Sequence, residues 1–150
     1  MSGWSLDLGK YAADTEKKTE QICRKVALSV FRRVVMRTPV DTGRARGNWF
    51  TSVGSDSDEV TDAVDKGGSM AMGRAQRLSA TWMPSKGQSI FLTNNLPYIE
   101  TLERGRIGNK GSTQAPNGMV GITVAEFGGI VDESASRAWG SAWDIGGAGE

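Results

Sequence analysis

Between Asp14 and Arg37 the apolar residues Ile22, Cys23, Val26, Ala27, Val30, Phe31, Val34 and Val35 recur as adjacent pairs every four positions, with Lys25, Arg32 and Arg33 in the gaps. This spacing lays one wide apolar stripe along an α-helix. Asp14 stands where an N-cap belongs, Glu16 falls in the first turn, and basic residues crowd the last turns. Pro39 disfavours helical geometry at Thr38, so the helix is expected to end there. Each large apolar side chain on such a stripe contributes about 1.5–3 kcal/mol when buried, which makes this helix a principal part of the core.

Beyond the turn Val40-Asp41-Thr42-Gly43, residues 47–53 mix aromatic, β-branched and polar side chains as a strand does, and Gly54 ends them. Residues 55–69 carry Asp56, Asp58, Glu59, Asp62 and Asp65 and read as a solvated connection. A short helix is expected over 70–82 and a strand over Ser89–Thr93. Residues 97–103 suggest a helical turn, 105–114 an open, basic, glycine-rich loop, and 115–118 another turn. From Met119 on, Val120, Val124, Phe127, Val131 and Ala135 keep helical spacing to about Trp139, and the rest, 140–150, reads as a flexible tail. The expectation is a single α+β domain over 1–150 with its core at about 14–138. In it a long N-terminal amphipathic helix packs on a small, mainly antiparallel sheet, with a C-terminal helix and long loops.

Composition narrows the chemistry. The chain has no histidine, which removes the commonest general base near pH 7 and any His-containing triad or metal site. Its one cysteine, Cys23, lies in the apolar stripe and reads as a buried, inert thiol. The net charge of +1 supplies no overall field, but residues 1–50 hold ten Lys/Arg against five Asp/Glu while the remainder is acidic. No apolar run approaches the roughly 20 residues of a membrane span, and the first residues lack a signal-peptide pattern, so a soluble protein made in a reducing cytoplasm is expected.

Four motifs invite chemical readings, and each has a plainer one. Asp41-Thr42-Gly43 is the aspartic-protease tripeptide, but Arg44 and Arg46 would hold a nearby carboxylate ionised, and a turn with Gly43 at positive φ accounts for it. Lys110-Gly111-Ser112 scrambles the order of a phosphate-binding loop, with no strand leading into it. The carboxylates of 55–69 lack the loop glycine and terminal glutamate of an EF-hand. Arg24, Lys25, Arg32, Arg33 and Arg37 could contact nucleic acid, or simply form the solvated edges of the apolar stripe. Trp139 and Trp143, four residues apart, are anchors for the subunit's own core or for a neighbour.

Three stretches taken in order carry a resemblance. They are Val-Val-Met-Arg-Thr-Pro-Val-Asp-Thr-Gly-Arg-Ala-Arg-Gly-Asn-Trp at 34–49, Ile-Phe-Leu-Thr-Asn-Asn-Leu-Pro-Tyr-Ile-Glu-Thr-Leu-Glu-Arg-Gly at 90–105, and Gln-Ala-Pro-Asn-Gly-Met-Val at 114–120. Over residues 20–131 the chain resembles the neck and tail-completion proteins of tailed bacteriophages, of the lambda Z type. It departs from them in a lengthened link, Arg106 to Thr113, in the acidic stretch 55–69 and in the tryptophan-bearing end. The resemblance implies a non-enzymatic, cofactor-free virion protein of the head-tail junction, assembled in the host bacterial cytoplasm. It implies a cyclic homo-oligomer, a hexamer by analogy with tail symmetry, between the tail terminator or tail tube protein and the head-completion or connector protein. Genomic DNA would pass through the lumen without sequence recognition, and no membrane is involved. The interface candidates are Arg44, Arg46, Trp49, Asn94, Tyr98, Arg106, Lys110, Gln114, Trp139 and Trp143. The alternative is a DNA-binding module using the basic N-terminal helix.

Overall fold

The computed structural model describes the backbone of residues 8–147 and the side chains of residues 13–139. Helix α1 spans Leu8–Arg37. It starts earlier than the N-cap reading of Asp14 allowed, because no proline lies between Leu8 and Ala13 and the helical backbone continues through Asp14, which is exposed within the helix. The C-terminal end falls where Pro39 places it.

A single helical turn α2, Arg44–Gly47, follows, then strand β1, Phe50–Val53. The expected strand over 47–53 is therefore shorter, since Asn48 turns its amide back onto the carbonyl of Arg44 at 2.7 Å and closes the helical turn. Helix α3 covers Ser69–Thr81, a 3-10 turn Pro84–Lys86, and strand β2 Ile90–Thr93. The strands form a two-stranded antiparallel sheet in which Phe50 pairs with Thr93 and Val53 with Ile90. Helix α4, Ile99–Glu103, and two C-terminal helices, α5 at Val120–Ala125 and α6 at Phe127–Gly147, complete the described chain. The α+β architecture is the expected one: a long N-terminal helix on a small antiparallel sheet, with helix at the C-terminal end.

The core lies between α1, α3 and the sheet. Val34 and Val35 of α1 pack with Trp49, Ala71, Ala115 and Met119, while Ala27 and Phe31 pack on Ala75 with Trp82, Ile90 and Leu92 around them. Ala71 and Ala75 are one helical turn apart and both fully buried, so α3 presents small residues where α1 comes closest.

The C-terminal region departs from the sequence reading in three ways. Glu126 interrupts the helix between α5 and α6. The inward residues are Met119, Thr123 and Ile130, at 0, 0 and 2% exposure, whereas Val120, Val124 and Phe127 stand 39, 62 and 50% exposed. Finally, α6 continues to Gly147 where a tail from Gly140 was expected.

The close α1–α3 approach yields a stability prediction. Ala71→Leu should lower stability by about 1–3 kcal/mol through overpacking, while Ala80→Leu on the exposed face of α3 should be near neutral. Urea midpoints of the two variants test this, and equal midpoints would show that α3 does not pack as described.

Candidate assembly interface

The three stretches that carry the resemblance converge at the end of α1. Thr38 is fully buried, and its hydroxyl donates to the carbonyl of Val34 at 2.8 Å while accepting the indole N–H of Trp49 at 2.8 Å. The turn that follows needs Gly43 at φ 94°, where a Cβ would lie 2.6 Å from the backbone nitrogen of Lys66. The Gly43 carbonyl accepts from the N–H groups of both Gly47 and Asp65, tying α2 to the acidic segment. Thr42, and not Asp41, makes the turn's side-chain bond, its hydroxyl accepting from the N–H of Arg44 at 3.2 Å. Asp41 is exposed.

Arg46 reaches back across this turn. Its guanidinium donates to the carbonyls of Lys66 at 2.7 Å and of Met36 and Thr38 at 2.9 Å each. Burial lowers its pKa from the usual arginine value, and the negative charge of Asp65 opposes that effect. Asp65, 5% exposed, accepts from the N–H groups of Met70 and Ala71 and so satisfies first-turn donors of α3.

The other two stretches are braced to the first. Asn94 donates to the Ala45 carbonyl at 2.9 Å. Gln114 clamps Val40 with both ends of its amide, accepting from the N–H at 2.8 Å and donating to the carbonyl at 3.0 Å. The Glu103 carboxylate accepts from the N–H groups of Met119, Val120 and Gly121 at 2.8–3.0 Å, fixing the start of α5. Between the stretches lies a shallow cleft of about 240 Å³, with Pro39–Ala45 on one wall and Tyr98, Leu102, Ser112 and Gln114 opposite.

The interface candidates therefore separate into groups. Trp49 is 5% exposed and belongs to the core, and Arg46, Asn94 and Gln114 are engaged in holding the subunit together. Arg44 borders the cleft and pairs with the exposed Asp62 at 3.0 Å. Tyr98 stands 41% exposed on the cleft wall. Arg106 and Lys110 are exposed on the lengthened link. Trp139 is half-buried with the Lys18 ammonium 4.8 Å from its ring, a contact within the subunit. The Trp143 side chain lies outside the described residues.

The link itself is folded, not open. Ile107 and Lys110 exchange backbone bonds at 3.0 and 3.1 Å, and Arg106 N–H donates to the Pro116 carbonyl at 3.0 Å. The backbone at Gly105 lies so close to Pro116 that a Cβ would meet its carbonyl oxygen at 2.2 Å. Ile107 projects from this small hairpin at 68% exposure.

Two features lay beyond the sequence reading. The basic edge of α1 is largely engaged: Arg24 donates twice to the Trp82 carbonyl, and Arg33 and Arg37 grip Glu126 at 2.5 and 2.6 Å. The hydrogen bonds from Arg37 and then Arg33 lower the Glu126 pKa below the usual carboxylate range. The second feature is an apolar groove of about 340 Å³ between α1, Trp82, Ile90 and the outward Phe127 and Val131 of α6. Cys23 lines it, half-buried, rather than lying sealed in the core. The groove's α1 wall is part of the apolar stripe read from the sequence, and the helical spacing of Phe127 and Val131 signals the opposite wall.

Among the described residues no group of three or more His, Cys, Asp or Glu could hold a metal ion, and no helix is long and apolar enough to cross a membrane. Comparison with protein families, curated proteins and solved structures finds no match for the chain.

The Glu126 clamp gives a pH prediction. A depressed folded-state pKa contributes stability above the unfolded carboxylate pKa, and that stability is lost as pH falls through the folded value. Wild-type protein should therefore lose urea resistance below the usual carboxylate range more steeply than Glu126→Gln. Parallel pH profiles for the two would contradict the clamp.

Proposed function

We propose that the protein is a structural component of the head-tail junction of a tailed bacteriophage, acting as a homo-oligomeric ring that completes the tail and joins it to the head connector. The observation that carries this reading is the resemblance over residues 20–131, whose three stretches meet in one braced unit through Thr38, Arg46, Asn94 and Gln114. Such bracing is what a ring subunit under load requires: a rigid body whose function lies in its surfaces. Exposed apolar residues, with Phe127 and Val131 contiguous with the groove, supply material for protein contacts.

In this reading six copies, by analogy with tail symmetry, lie between the tail terminator or tail tube protein and the head-completion or connector protein. DNA passes through the lumen unread. The protein is made in the host cytoplasm and ends in the virion, and it works without a cofactor and without catalysis.

The DNA-binding alternative is disfavoured by the engagement of Arg24, Arg33 and Arg37 within the subunit, which leaves Lys25 and Arg32 as the exposed cations of that set. A DNA-binding module would lose affinity steeply with salt.

Removing the protein from its phage tests the proposal. The expected result is filled heads and separate tails, joined into infectious particles when purified protein is added back. Normal particles in its absence would overturn the proposal, as would tight, salt-sensitive, sequence-selective DNA binding by the isolated protein.

A further inference from the structure

We propose that the ring contact is made by the basic hairpin 104–110 of one copy docking on the acidic strap 56–64 of the next. This inference rests on the ring reading above and names the two surfaces that join its subunits.

The strap crosses the surface without helical or strand pairing, yet it is held firmly from beneath. Asn48 donates to the Thr61 carbonyl at 2.8 Å and accepts from its N–H at 2.9 Å, and Asn95 donates to the Ser57 carbonyl at 2.8 Å. Toward its end inward and outward positions alternate: Thr61 and Ala63 are half-buried and Asp65 is buried, while Val60 and Val64 stand 51 and 59% exposed with the exposed Asp62 between them. The outer side thus offers two valines among the carboxylates of Asp56, Asp58 and Glu59, with Asp62 already paired to Arg44. Asp56 and Asp58 have no ion-pair partner among the described residues.

The hairpin is the complement in both respects. Ile107 is the most exposed large apolar residue described, and Arg106 and Lys110 flank it with no ion pair among the described residues. Arg104 at the hairpin's base has a loose, exposed partner in Glu100 at 3.8 Å. A phosphate backbone would match the cations but not Ile107. A surface of carboxylates interleaved with valines matches both. Each subunit carries both patches, and among the described residues no ion pair joins them within one subunit, which leaves both for a neighbouring copy. Made in one direction around the assembly, hairpin to the next strap, the contact is heterologous, the type that forms a ring when its rotation closes. The charges set partner and register, and the apolar side chains exclude water at the centre. Both patches are pre-ordered, the strap by two asparagine amides and the hairpin by its own backbone bonds, so little ordering entropy opposes docking.

The test is a charge swap read by sedimentation velocity, on the protein alone and with purified tails. Arg106→Glu/Lys110→Glu and Asp56→Lys/Asp58→Lys should each weaken self-association by about tenfold or more, and the chain carrying all four changes should recover it. In a separate chain, Val60→Cys with Ile107→Cys should give a ladder of disulfide-linked copies. Assembly by wild type that is indifferent to both reversals, or a four-fold variant that folds but stays dissociated, would overturn this inference and leave the ring reading standing. A wild-type chain that never self-associates, alone or on tails, would overturn both.

Discussion

The buried hydroxyl of Thr38 takes the indole N–H of Trp49 and gives its own proton to the Val34 carbonyl, so one side chain fixes both the end of α1 and the return of the chain toward β1. Neither bond can be replaced by water at a fully buried position, and an orphaned partner would cost about 1–3 kcal/mol. Placement of the later elements follows from this reversal. Once residues 38–49 are set, Gly43 receives Asp65, Asp65 anchors α3, and α3 lays Ala71 and Ala75 against α1. The braces from Asn94 and Gln114 then bring the second half of the chain to the same place.

Electrostatics follow the same economy. Three guanidinium groups from the basic excess of the first fifty residues, all on α1, are folded into carbonyl and carboxylate contacts within the subunit. Arg33 and Arg37 hold Glu126, and Glu126 marks the break between α5 and α6. Beyond that break Phe127 and Val131 of α6 line the apolar groove against α1.

Much of the fold was legible because the signals were local. The paired apolar residues of α1, Pro39 as its stop, and the β-branched run at 90–93 each predict an element without knowledge of its partners. The C-terminal helices were harder, since periodicity defines a stripe but not which stripe is buried. Thr123 is wholly buried because Arg37 and the Met119 carbonyl satisfy its hydroxyl, and neither partner is visible from a threonine in sequence. The same limit applies to the site. Arg46, Asn94 and Gln114 stood out in the motifs, but whether they face a neighbour or the subunit itself depends on acceptors 8 to 74 residues away. The lengthened link looked open because its glycines suggest freedom, whereas Gly105 is required where two backbones nearly touch.

A braced subunit whose polar motif residues mostly turn inward leaves its outer surfaces to make contacts. Three-dimensional reconstruction of the neck by electron microscopy would read those contacts out. The expected result for the proposed junction protein is a closed ring of this chain around the DNA channel, with the 104–110 hairpin at the subunit boundary and Trp49 and Thr38 inside each subunit. A single copy on one side of the tail, or a neck that lacks the chain altogether, would contradict it.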